Sequence, residues 1–138
     1  MLDPAKEAHA HADRRLRAEP VAWLTTVRAD GQAQSTPVWF LWDGDTFLVY
    51  SQPGAPKVGN VAANPKVSLH LSDDGAGGDV VSFEGAAAVE PDTPRPDRVE
   101  AYLAKYQAAI ADLGYEPGPF ARTYSTAIRI RPTRVRVF

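Results

Sequence analysis

Residues 34 to 60, QSTPVWFLWDGDTFLVYSQPGAPKVGN, read as two strands joined by a tight turn, then a loop that delivers Lys57 to the start of a short helix. The strands carry Val38, Trp39, Phe40, Leu41 and Trp42, then Phe47, Leu48, Val49 and Tyr50, so the hairpin is apolar on both faces. A hairpin with one side in water alternates apolar and polar residues, so here the second face needs a cover. The ends are polar: Gln34, Ser35 and Thr36 on one side, Ser51, Lys57 and Asn60 on the other. An aromatic-lined wall framed by hydroxyls, amides and one cation suits a planar cofactor bearing a phosphate.

Working outward, Asp43-Gly44-Asp45 makes the hairpin turn, and Pro37, which lacks an amide hydrogen, puts its part of the Gln34–Trp42 strand at an edge or bulge. Upstream, Val21 to Arg28 forms a strand that turns at Ala29-Asp30-Gly31. Residues 3 to 18, within an N-terminal segment 1–19, read as a helix capped by Asp3, with Pro4 in its first turn and a thin apolar face of Ala and Leu16. Downstream, Lys57 to Ala63 is a short helix stopped by Asn64-Pro65, Lys66 to Ser72 alternates as a fourth strand, and Val80 to Glu90 is a fifth with Gly85 at a bulge or close approach.

The best helix follows at 97–113, where Val99, Tyr102, Leu103, Tyr106, Ile110 and Leu113 recur at spacings of three and four and Asp97 with Glu100 forms a capping pair. Residues 125 to 138 are a last strand in two pieces. Ile128 and Ile130 share one parity and Val135 and Val137 the other, so a bulge at Pro132 would return all four to one face. The count is six mostly antiparallel strands with no alternating βαβ pattern. It points to a mainly β chain, a single domain over 1–138 forming a small closed or split barrel whose outer wall a second copy buries.

Composition narrows the function. Fifteen basic against seventeen acidic side chains give a net charge of -2, so no overall field draws the chain to nucleic acid or an anionic membrane, and any anion site is local. The absence of cysteine excludes thiolate catalysis, disulfides and thiolate metal sites. With no signal-like or membrane-length apolar run, a cytoplasmic location is expected. Arg129, Arg131, Arg134 and Arg136 alternate along a strand, as solvation and edge protection require. His9 and His11 do not share a helix face, which argues against a metal site. No G-x-S-x-G motif marks a hydrolase, and the glycines at 75 to 78 open no helix that would bind a dinucleotide. Lys57 also reads as an ordinary solvated lysine, Ser51 as a turn residue, and Trp39 and Trp42 as one core and one interface or cofactor-wall residue.

The order and wording of WLTTVRADGQAQSTPVWFLWDGDTFLVYS, PKVGNVAANPKVSLHL, GDVVSFEGAAAVE and IRIRPTRVRVF resemble the split β-barrel flavin and deazaflavin oxidoreductases. That superfamily includes pyridoxamine 5'-phosphate oxidase, and within it the chain is similar to the small PPOX-class enzymes that use coenzyme F420. The resemblance implies an FMN-binding type of split barrel, a homodimer with its cofactor groove at the subunit interface, and hydride transfer from reduced F420 to a small conjugated acceptor. It places Thr36, Pro37 and Val38 beside the deazaflavin ring and Ser51, Lys57 and Asn60 at the phosphate and ribityl region. Gln34, Ser35, Tyr50 and Val58 complete the candidate cofactor-binding set. The chain departs from the pattern at Ala55 and Gly59, where many relatives carry a second basic residue, and it lacks the R-x-x-x-L-K pattern that holds FMN in pyridoxamine phosphate oxidases. FMN is therefore the alternative cofactor, and the alternative functions are a non-catalytic carrier of F420, flavin or tetrapyrrole and an FMN-dependent enzyme like pyridoxamine phosphate oxidase. No residue stands out as a proton donor: Tyr50, Tyr124 and solvent are all open.

Overall fold

The run Val38–Trp42 sets the topology by breaking. In the computed structural model, which describes residues 1–138, β2 (Ala33–Val38) stops where Trp39 begins and β3 (Leu41–Trp42) resumes two residues later. The two pieces lie on opposite edges of one seven-stranded sheet, not in one strand. With β1 (Ala22–Val27), β4 (Phe47–Ser51), β5 (Lys66–His70), β6 (Val81–Val89) and β7 (Thr126–Val137), the order is β2-β1-β5-β6-β7-β4-β3, every pair antiparallel. Trp39-Phe40 spans the gap between the edges of this open, curled half-barrel, so seven strands replace the expected six.

Four helices dress the sheet: α1 (Glu7–Ala18), α2 (Pro56–Ala63), α3 (Glu100–Asp112) and α4 (Pro117–Thr123). The break at Phe40 leaves backbone groups that no strand serves, and α3 serves them. The Phe40 amide donates to the Tyr106 hydroxyl at 2.8 Å, and the Lys105 ammonium donates to the Phe40 carbonyl at 2.9 Å. Side-chain alternation passes straight through the break: Val38, Phe40 and Trp42 join one core cluster, whereas Trp39 and Leu41 pack against the other.

Those two clusters answer how a doubly apolar hairpin is covered. Phe47 and Val49 of β4 face the barrel interior with Leu24, Phe83, Ile128 and Ile130. Leu48 and Tyr50 face outward and are buried by Tyr102, Tyr106 and Ile110 of α3 and Phe120 of α4. The chain's own helices therefore seal the second face of β4, and burial of that face does not require a second copy. The stripe on α3 that does this repeats every four residues, as a helix packed on a sheet requires. Leu113, the last member of the expected stripe, lies beyond the contact and is 56% exposed.

Two expected caps are absent. α1 starts at Glu7 rather than Asp3, because the Asp3 carboxylate closes a local turn on the Ala5 amide instead. The segment expected as one helix over 97–113 begins with a 3-10 turn, Pro96–Arg98, and α3 follows Val99 with no side-chain cap, so Asp97 and Glu100 form no capping box. The bulge does occur: the β6–β7 register slips between Glu84 and Gly85, skipping Thr133, and Val135 and Val137 return to the face of Ile128 and Ile130. Gly85 is needed there, since a Cβ would stand 2.7 Å from the Arg131 carbonyl oxygen. No helix is long and apolar enough to cross a membrane.

Candidate functional site

Where Trp39 crosses between the sheet edges it forms one wall of a pocket of about 300 Å³. Pro37 and Val38 adjoin it, Tyr50 comes from β4, Tyr102 from α3, Phe120 and Tyr124 from the end of α4, and Lys57 from α2. A second hollow of about 540 Å³, running along Ser51, Gln52 and Gly54 to Pro56, meets the first at Tyr50, Lys57 and Tyr124. The shared residues make the two hollows one groove, aromatic at one end and polar at the other.

The aromatic end is rigid by stacking. The Trp39 ring lies 4.8 Å from Tyr106 at 5° and 5.7 Å from Phe120 at 22°, and Phe120 in turn stacks on Tyr124 at 4.7 Å. Tyr50 meets Tyr102 edge-on at 5.0 Å, and its hydroxyl donates to the Pro94 carbonyl at 2.5 Å. Burial pushes the Tyr50 phenol up to about 12, with Arg129 opposing and Asp97 adding to the rise. Tyr102 is pushed up further by burial, then by the neighbouring phenols of Tyr106, Tyr50 and Tyr124. These groups stay neutral at any ordinary pH.

The polar end holds one cation. Pro56 occupies the first turn of α2, where its missing amide costs nothing, and Lys57 follows it. Lys57 is half-buried and belongs to none of the ion pairs in the chain, and burial lowers the pKa of its ammonium. Of the first-turn amides, Pro56 has none, that of Val58 donates to the Ala55 carbonyl at 3.0 Å, and that of Lys57 has no backbone partner. Ser51 is buried beside this corner, its hydroxyl donating to the Gln52 carbonyl at 2.9 Å.

Of the candidate residues, the groove brings together Pro37, Val38, Tyr50, Ser51 and Lys57. Gln34, Ser35, Thr36, Val58 and Asn60 do not line it. The Asn60 amide is a strut: its Nδ2 donates to Thr26 Oγ1 and Gln34 Oε1, both at 2.9 Å, tying α2 to β1 and β2. Ser35 pairs with Thr25 across the β1–β2 ladder at 2.7 Å between hydroxyl oxygens. Sequence reasoning missed Tyr102 and Phe120 as site residues. Tyr102 sat in an apolar stripe and read as core, and the one signal against that reading was its hydroxyl. No three acidic or histidine side chains are placed to share a metal ion.

Among solved structures, an F420 reductase aligns with a TM-score of 0.65 at 26% identity, over 89% of this chain and 94% of its own. A conserved hypothetical protein from Mycobacterium tuberculosis aligns at 0.73 and 23%, over 94% and 82%, and a heme storage protein from Vibrio cholerae at 0.63 and 18%, over 92% of each. No curated protein matches the chain. The family model described as pyridoxamine 5'-phosphate oxidase matches residues 8–138, nearly every element of the split barrel, and the chain belongs to that family.

Proposed function

We propose that this chain is an F420-dependent reductase, moving hydride from the reduced deazaflavin to a small conjugated acceptor, and that it works as a cytoplasmic homodimer. The observation that carries the reading is an aromatic-walled pocket joined to a half-buried lysine with no acidic partner. Both ends of the groove fit such a group. A desolvated ammonium without a counter-charge is costly, and a phosphate oxygen would supply that counter-charge through a charge-assisted contact. In this reading Pro37, Val38 and Trp39 flank the ring, Ser51 and Lys57 hold the phosphate end, and Tyr50 and Tyr124 lie between.

When bound, reduced F420 supplies a hydride, a two-electron donor with no need of a side-chain nucleophile. The chain's part is to orient and to exclude water. Gln34, Ser35, Thr36, Val58 and Asn60 act at one remove, the Asn60 strut fixing α2, and so Lys57, against the strand that carries Pro37 and Val38. A second copy is proposed to close the rim, where Leu113 stands in water. The likeness to the F420 reductase supports the choice of cofactor.

The test is titration of the purified protein with F420 and with FMN, followed by tryptophan fluorescence. Tighter binding of FMN overturns the cofactor. Reduced F420 is then mixed with a panel of enones and quinones: loss of its absorbance supports the reductase, and binding without turnover leaves a carrier.

A further inference from the structure

Two phenol hydroxyls in the pocket have no hydrogen-bond partner in the chain. Tyr50 donates to Pro94, and Tyr106 bonds to Phe40 and Pro20, but the hydroxyls of Tyr102 and Tyr124 bond to nothing. Tyr102 is 1% exposed, with its ring packed between Tyr50 at 5.0 Å and Tyr106 at 4.9 Å. Its oxygen is nonetheless not sealed away, because the one side-chain polar atom both fully buried and unpartnered is Asp97 Oδ1. Tyr102 lines the pocket, and its hydroxyl has no partner in the chain. Tyr124 lines the same pocket from the end of α4, its ring fixed on Phe120 at 4.7 Å. The other polar side-chain groups of the lining are the Lys57 ammonium, the committed hydroxyl of Tyr50 and the Trp39 indole N–H.

We propose that the hydroxyls of Tyr102 and Tyr124 together receive one carbonyl oxygen, so that the pocket selects ketones, enones and quinones over hydrocarbons of the same shape. The consequence for turnover rests on the reductase reading, but the recognition itself does not. A carbonyl oxygen has two lone pairs and accepts from both donors, and a buried hydroxyl left unpaired is penalised, so a ligand without the oxygen is discriminated against. Each phenol O–H is a hydrogen-bond donor. When hydride adds to the β-carbon of an enone, the π pair moves onto the oxygen, where two fixed donors meet the developing enolate charge. The α-carbon then takes its proton from water; the enone gains two electrons and the reduced deazaflavin gives up the same two. Tyr102 and Tyr124 hold the oxygen and keep their protons.

The experiment uses full-length protein without deazaflavin, and 1-tetralone with tetralin as its carbonyl-free control. Calorimetry gives the two affinities, and infrared spectroscopy of 13C-labelled tetralone gives the carbonyl stretch. Wild type is expected to prefer tetralone and to lower the frequency of the bound carbonyl. Tyr102→Phe and Tyr124→Phe should each cut the preference by about fivefold, the net worth of one neutral hydrogen bond, with tetralin affinity unchanged. The double variant should lose more of both the preference and the shift than either single variant. A wild type without preference, or variants that keep preference and frequency intact, overturns the proposal. If Tyr102→Phe also weakens tetralin, that change is structural and Tyr124→Phe decides. Absent turnover with the shift intact would refute the reductase reading alone, whereas turnover without the shift would refute this inference alone.

Discussion

Tyr106→Phe isolates the interaction that lets the chain cross from one sheet edge to the other. The Tyr106 hydroxyl accepts the Phe40 amide at 2.8 Å and has one proton to give, to Pro20 at 2.7 Å or Phe40 at 3.0 Å. Removing the oxygen keeps the ring, and with it the 4.8 Å stack on Trp39. The cost falls on the backbone. Phe40 is fully buried, so its amide is left without a partner, at about 1–3 kcal/mol. Its carbonyl keeps Lys105, and the Pro20 carbonyl, in an exposed residue, turns to water. The expected loss is about 2–3 kcal/mol, read as a lower urea midpoint at unchanged slope. Tyr115→Phe serves as the control, because the Tyr115 hydroxyl makes no hydrogen bond; its change should stay within about 0.5 kcal/mol. A Tyr106→Phe loss no larger than that control would mean that strand pairing or packing, not this hydroxyl, fixes the crossing.

Lys57→Ala should weaken F420 binding by about 1–3 kcal/mol in a fluorescence titration, and unchanged affinity would move the anion site elsewhere. Asn60→Ala should cost about 1–3 kcal/mol of stability by losing a buried strut, with a smaller effect on F420 affinity than Lys57→Ala; the reverse order would make Asn60 a ligand. Gly85→Ala forces a Cβ against the Arg131 carbonyl and should lower stability by about 1–3 kcal/mol in thermal unfolding, a neutral result implying a bulge that shifts freely. Burial pushes the Lys105 ammonium down to about 8, with Glu19 opposing, so above that pH the folded state releases a proton the unfolded state keeps. This group's contribution to stability therefore rises with pH from about 8 towards its ordinary value near 10.5, by about 1 kcal/mol once solvent screening is allowed for. The difference in urea midpoint between wild type and Lys105→Met should change between pH 7.5 and 9.5, below the tyrosines' opposite slope, and an unchanged difference would overturn the assignment.

What could be read in advance was local. Asp43-Gly44-Asp45 had to turn, and it does: Gly44 has φ 97° and Asp43 Oδ1 takes the amides of Asp45 and Thr46. The parity change in the last strand demanded a bulge because no straight strand puts Ile128 and Val135 on one face. The break after Val38 left no such trace. Alternation continues through it, and the amide freed there is taken up by a hydroxyl 66 residues away. The site divides along the same line. Lys57 was legible because a Pro-Gly loop and a helix-starting proline fix its place locally. The strut formed by Asn60 was not legible because its partners, Thr26 and Gln34, are set by the fold. Tyr102 was hidden because the direction of its hydroxyl depends on how α3 lies over β4.

The covering of β4 changes what a dimer must be argued from. Apolar residues on both faces of a strand mean only that both are buried, and a partner copy or the chain's own helix satisfies that equally. The sequence held the material to choose: a stripe on α3 with Tyr102, Tyr106 and Ile110 needed a surface, and the outer face of β4 needed a lid, and each is the other's answer. The case for a second copy therefore passes to the apolar side chains still in water: Val21 and Trp23 at 37% and 38% exposure, Leu113, and Phe138 at 71%. Only Leu113 borders the pocket. A partner seated there would help to close the groove, whereas one seated on Trp23, beside a separate hollow with His70 and Ser82, would leave the candidate site as a single chain builds it.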